Sequence, residues 1–228
     1  SEILADNREL PENFTEDMIM KVASPNIMNM LARSVLALYT YDPRPDDYSI
    51  ENVMRQSIEL IARMPSIMAA AYQVKKRVYD GRSMYLHNPN PEFSTAQNIL
   101  RMLRSDKQFT EEEAHLLDLC LTLHSEHGGG NCSTFAVRVL TSAQTDTYSA
   151  IAAGIGALKG PRHGGANHKV IEQLEYLKAN VYDWDDDNEI REYLRKAVAG
   201  EAGDRSGLIY GMGHAVYTKS DPRAPSRR

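Results

Sequence analysis

Signals for β-structure are nearly absent from this sequence, while apolar residues recur at helical spacing. That pattern predicts an all-α, multi-helical chain and excludes a sheet-based fold. Cysteine is scarce too. The two thiols, Cys120 and Cys132, form no C-x-x-C pair, which excludes a disulfide framework, a zinc knuckle and a thioredoxin-type motif. No apolar run approaches the ~18 residues of a membrane span, so no membrane partner is expected. No N-terminal signal pattern is visible, so a soluble cytoplasmic protein is expected. Nor is there an excess of positive charge. The formal net charge is −5, with acids and bases interspersed, which argues against nucleic acid as the main partner and leaves room for local anion sites.

What is present is a hydrophobic fraction of 42% in 228 residues, enough for a sizeable core in one large domain, or in one domain with a small second one. Helix starts are frequent. Thr15 is a predicted N-cap for "EDMIMKVA", and Ser24-Pro25 is predicted to open a second helix. Ser49 opens "IENVMRQSIELIARM", which Pro65 is expected to interrupt before a helix resumes and stops at Gly81. "YLHNPNPEF" reads as a loop. Ser94 caps "TAQNILRMLRS", and Thr110 with Glu113 forms a capping box. Two Ala/Gly-bearing helices, 131–143 and 146–158, follow, then two amphipathic ones. The Gly/Pro-rich stretch at 160–166 is the best candidate boundary.

The chemistry sits beside glycines. Six of the seven histidines lie between 115 and 214, and three of them adjoin glycine. His124 and His127 share a helix face but lack the H-E-x-x-H pattern, so no metal is expected and a helix-end pair satisfied by carbonyls is the simpler reading. His163 precedes Gly164 and Gly165 just before a helix. A helix N-terminus favours a neutral imidazole able to donate one N–H to a carbonyl oxygen, which suits enolisation. The plain alternative is a turn histidine without a role. His214 follows Gly211 and Gly213, which admit close backbone approach; "GMG" without the Walker residues is a weak phosphate signal. Arg223, in an Asp-Pro-Arg turn, is a candidate carboxylate clamp or else a surface ion pair.

Two other features are read as structural. "DWDDDNE" fails the calcium-loop template, because Asn188 and Leu194 stand where Gly and Glu belong; it reads as an acidic turn capping the next helix. Cys132 is expected to be a small buried thiol in a helix's first turn.

Together, "LPENFTEDMIMKVA", "LHSEHGGGNCSTFAVRVLTSAQTDTYSAIAAGIGALKGPRHGGAN" and "GMGHAVYTKSDPRA" resemble the citrate synthase family, in family order across essentially the whole chain. The resemblance implies an all-α homodimer in which residues 1–163 belong to a large domain and 164–228 begin a small one. It implies that acetyl-CoA condenses with oxaloacetate and that citryl-CoA is then hydrolysed. It places His163 on the thioester carbonyl, His214 on the oxaloacetate ketone, and His127 and Arg223 on oxaloacetate. It places Ile209, Tyr210, Gly211, Met212 and Gly213 at the adenine end of coenzyme A. Thr218 stands where some members carry a phosphate-binding arginine, and Lys219 is the candidate substitute. No cofactor is implied, since acetyl-CoA is a substrate.

The resemblance also implies a central piece of a bacterial-type enzyme. The chain begins without Met, and the family's catalytic aspartate and further arginines lie beyond the DPR motif. A polypeptide without them is expected to be inactive. Rival readings are a 2-methylcitrate synthase using propionyl-CoA, a helical interaction module that kept the family core without catalysis and, more weakly, a histidine-rich metallohydrolase.

Overall fold

A computed structural model describes residues 2–125 and 128–213. Among these residues it is helical, without strands. The helices are α1 (Glu2–Asp6), α2 (Ile27–Leu38), α3 (Ile50–Val78), α4 (Thr95–Leu103), α5 (Glu111–His124), α6 (Cys132–Ser142), α7 (Thr147–Leu158), α8 (Ala166–Asn180) and α9 (Asp187–Val198). By packing, the chain divides into a unit of residues 1–159 and a unit of residues 160–228. No helix among the described residues is long and apolar enough to cross a membrane.

The first unit is organised on α3. Phe14, Ile19, Met30, Val35, Leu38, Ile67, Ala71, Val74 and Tyr148 are essentially fully buried around it. Helix α7 packs on α2 and α6, and its small residues let the axes approach: a Cβ on Gly154 would lie 2.8 Å from Val137 Cγ2. Helices α4 and α5 both carry capping boxes, Ser94 with Gln97 and Thr110 with Glu113. Each box satisfies two amides that a helix start otherwise leaves open.

Several local expectations fail, each for a physical reason. Thr15 is not a cap. Phe14 is fully buried with helical φ/ψ (−56°, −46°), so the chain is already turning when it reaches Thr15, and Thr15–Met20 forms a wide π-type turn. Ser24-Pro25 does not open α2, because Ser24 Oγ is engaged by the Asn26 amide at 3.1 Å and the Asn26 side chain caps the helix instead. Pro65 does not interrupt α3, which runs unbroken over 29 residues. The carbonyl that a proline at this position leaves without an amide partner belongs to Ile61, an exposed residue. Cys132 is the first residue of α6 as expected, but it is exposed rather than buried, since α6 buries none of its residues in this chain.

The second unit has its own small core. Leu177 and Val181 from the end of α8 pack on Tyr193 of α9, with Ile190, Leu194 and Ala202 around them. The acidic stretch before α9 is the capping turn the sequence suggests. Asp186 accepts from the Asn188 amide, and the Glu189 carboxylate accepts from the amides of Tyr182 and Asp183, each at 2.9 Å.

Candidate active site

The loop carrying His163 is built by glycine. The amides of His163 and Gly164 both donate to the Gly160 carbonyl, at 3.0 and 2.9 Å, closing a tight turn. Gly165 then enters α8. A Cβ there would collide with the Pro161 carbonyl oxygen, and because that is backbone no side-chain movement relieves it. Gly165 has no side chain to cap α8, and the half-buried His163 lies two residues before it, in the turn that leads into the helix.

The second glycine loop is fixed to the same helix. Gln173 of α8 grips the backbone of Tyr210 from both sides: the Tyr210 amide donates to Gln173 Oε1 at 2.8 Å, and Gln173 Nε2 donates to the Tyr210 carbonyl at 3.3 Å. The Tyr210 hydroxyl donates to Asp204 Oδ2 at 2.7 Å and lies 3.1 Å from Ser206 Oγ. Lys169, one turn before Gln173, bonds Glu172 and Asp204 and stands 5.7 Å from the Tyr210 ring centroid. Hydrogen bonds from Ser206, then from Tyr210, hold the Asp204 carboxyl well below the usual carboxylate range. Gly211 (φ +85°) follows Tyr210 so closely that a Cβ would come within 3.1 Å of Val170 Cγ2, again on α8. Met212 is 76% exposed, and Gly213 has φ +80° with open space about it.

Thus the loops of His163 and of Ile209–Gly213, far apart in sequence, share one helix as their support. His127, His214, Lys219 and Arg223 lie outside the described residues. The partner of His127 in the sequence reading, His124, has its Nδ1–H on the Cys120 carbonyl at 2.7 Å, the bond expected of a helix-end histidine. Among the described residues no group of three His, Cys, Asp or Glu side chains is placed to hold a metal. Lys169, Gln173 and Asp204 were not legible as site residues. Nothing in the local sequence marks Gln173, whose partner is 37 residues away.

The fold and these loops define a helical protein that displays glycine-edged turns on a single supporting helix. Comparison supplies the family. The model of the citrate synthase C-terminal domain matches residues 1–228, and the chain belongs to the citrate synthase family. It is 34% identical over 197 residues to a citrate synthase of Synechocystis, covering 86% of this chain and 45% of that protein. It is 34% identical over 203 residues to 2-methylcitrate synthase 1 of Corynebacterium glutamicum, covering 87% of this chain and 48% of that protein. The chain thus spans about half the length of the curated relatives it matches. Its fold superposes on the citrate synthase of Pyrobaculum aerophilum with a TM-score of 0.78 at 28% identity, over 99% of this chain and 53% of that one. The Thermoplasma acidophilum citrate synthase, solved as a ternary complex with carboxymethyl coenzyme A and oxaloacetate, gives 0.76 at 25% identity, over 99% and 54%.

Proposed function

We propose that the protein containing this chain condenses acetyl-CoA with oxaloacetate and hydrolyses the resulting citryl-CoA to citrate and coenzyme A. The observation that carries the reading is the His163 turn, closed by glycines against the start of α8, in a chain of the citrate synthase family. His163 donates an N–H to the thioester carbonyl, stabilising the enol or enolate formed when the family's catalytic aspartate, which the resemblance puts beyond the DPR motif, takes a proton from the methyl group. The nucleophilic carbon attacks the oxaloacetate ketone, and His214 supplies a proton as that oxygen becomes an alkoxide. His127 and Arg223 hold oxaloacetate, Arg223 through a two-pronged carboxylate contact. Ile209, Tyr210, Gly211, Met212 and Gly213 meet the adenine end of coenzyme A, with Lys219 toward its phosphates. Water then cleaves the thioester and releases the thiol.

The competing substrate is propionyl-CoA, favoured by the 2-methylcitrate synthase relative. One methylene shifts binding by only about 1–3 kcal/mol. The protein is proposed to be cytoplasmic and to work as a homodimer. Leu116 of α5 and Phe135 and Val139 of α6 are 61%, 66% and 48% exposed, apolar side chains that a second copy could cover. Thiol release from acetyl-CoA and propionyl-CoA with oxaloacetate, measured on the complete gene product, tests the reading. Turnover on neither thioester would refute it. His163→Ala should lower turnover by about 10²–10³ while leaving oxaloacetate binding nearly intact. Arg223→Ala should weaken oxaloacetate binding as well, since it meets the same carboxylate in ground and transition states. Assayed alone, the 228-residue polypeptide should be essentially inactive, because none of its residues matches the family's proton-abstracting aspartate.

A further inference from the structure

We infer that Gln173 and Tyr210 are positioning residues that set the acyl-CoA loop in register with the His163 turn. The inference rests on the function proposed above. Three observations converge on it. Gln173 makes both backbone bonds to Tyr210, so the peptide leading into Gly211 is gripped at its donor and its acceptor. The Tyr210 side chain is held separately, through Asp204, which in turn meets Lys169 on the same helix. Gly211 rests against Val170, between those two positions along α8.

Loop residues that meet a ligand with their backbone need that backbone fixed before binding, because ordering it afterwards weakens affinity. Here the fixing comes from α8, whose N-terminus also receives the His163 turn. Helix α8 therefore acts as a rigid splint between the carbonyl-activating turn and the loop assigned to coenzyme A. The geometry predicts a selective consequence: loosening the clamp should weaken acyl-CoA binding and leave oxaloacetate, which these residues do not touch in this assignment, largely unaffected.

Gln173→Met keeps the length and bulk of the side chain and removes both bonds. In the complete gene product its KM for acetyl-CoA should rise about five- to tenfold, the size of effect expected from losing a well-formed pair of bonds. The KM for oxaloacetate should stay within about twofold. Gln173→Glu keeps the acceptor for the Tyr210 amide and should recover part of the loss. Tyr210→Phe, which frees Asp204 but spares the backbone grip, should give a smaller shift in the same direction and supplies the test should Gln173→Met fold poorly. Hydrogen exchange at the Tyr210 amide should quicken in Gln173→Met and be least changed in Tyr210→Phe. An unaltered acetyl-CoA KM, or equal losses for both substrates, would overturn the positioning role while the function stands. Absence of any acyl-CoA binding by the wild-type protein would overturn the function and this inference with it.

Discussion

Tyr148 Oη donates a 2.7 Å hydrogen bond to Asp42 Oδ2 across 106 residues of sequence, joining α7 to the turn after α2 deep in the first unit. Asp42 also accepts from Arg55 at 2.6 Å, from Gln56 at 2.9 Å and from the Arg44 amide at 2.9 Å. Its carboxylate is 1% exposed. Burial by itself would raise the Asp42 pKa, and the four donors, the Arg44 amide foremost, overcome it and hold the value at about 2. Burial, then the hydrogen bond to the charged Asp42, push the Tyr148 hydroxyl the other way, well above the usual phenol range.

Removing Asp42 should therefore be severe. Asp42→Ala leaves an arginine, a phenol and two amides without their shared acceptor and should cost about 3–5 kcal/mol. Tyr148→Phe removes one bond to a charge and should cost about 1.5–3 kcal/mol. In a double-mutant cycle, followed by urea unfolding, the two losses should be strongly non-additive. Additive losses would mean that the bond does not couple α7 to the turn after α2.

The same pair sets a pH dependence. The folded-state value of Asp42 is depressed, so its contribution is fully present above the ordinary value of 3.8 and is lost as pH falls toward about 2. That contribution amounts to roughly 2 kcal/mol. Stability followed from pH 5 to pH 2 should fall more in the wild type than in Asp42→Asn, and parallel curves would remove Asp42 from the account.

Helix α7 offers a comparison between two glycines. Gly156 is exposed with nothing near its Cβ position, so Gly156→Ala should stabilise by about 0.5–1 kcal/mol through helix propensity. Gly154 meets Val137 Cγ2, so there the same gain is offset by repacking and Gly154→Ala should be near neutral. Gly154→Leu overfills the α6–α7 contact and should cost about 1–3 kcal/mol. Thermal unfolding of the three variants orders them directly.

Tyr193 is buried, and its hydroxyl has no hydrogen-bond partner among the described residues. A buried hydroxyl in that state is a net cost. Tyr193→Phe should leave the melting temperature unchanged or raise it. A fall of several degrees would show that the hydroxyl has an acceptor.

Much of this fold was legible because its helices announce their own ends. Ser94, Thr110, Asn131, Asp146 and Asp186 each cap the helix that follows through a local hydrogen bond, and a local bond is written in adjacent residues. The failures came where distant residues decide. Phe14 is drawn into the core and starts a turn before Thr15 can cap it. Pro65 is tolerated because the rest of α3 is held by packing on both sides of it. At the site, His163 and the glycines were visible as a motif. The Gln173 grip on Tyr210 was not, because glutamine inside an amphipathic helix is ordinary until its partner is placed beside it.

Gly165 gives the sharpest test of the His163 turn. The added methyl of Gly165→Ala would collide with the Pro161 carbonyl oxygen and lie 2.9 Å from its carbon, so the main chain itself must move. Its φ of −82° is ordinary for alanine, so the obstacle is the collision and not the backbone conformation. Relief requires opening the turn that the His163 and Gly164 amides close on Gly160, which shifts the backbone that carries the imidazole. A misplacement of about 1 Å near reacting atoms costs on the order of 10² in rate. Gly165→Ala in the complete gene product should therefore lose turnover on that scale while global stability falls by only about 1–3 kcal/mol, as for other overpacked sites. Gly164→Ala, one residue away, is the comparison for thiol release. Wild-type turnover in Gly165→Ala would show that the turn tolerates a side chain and that its shape does not position His163.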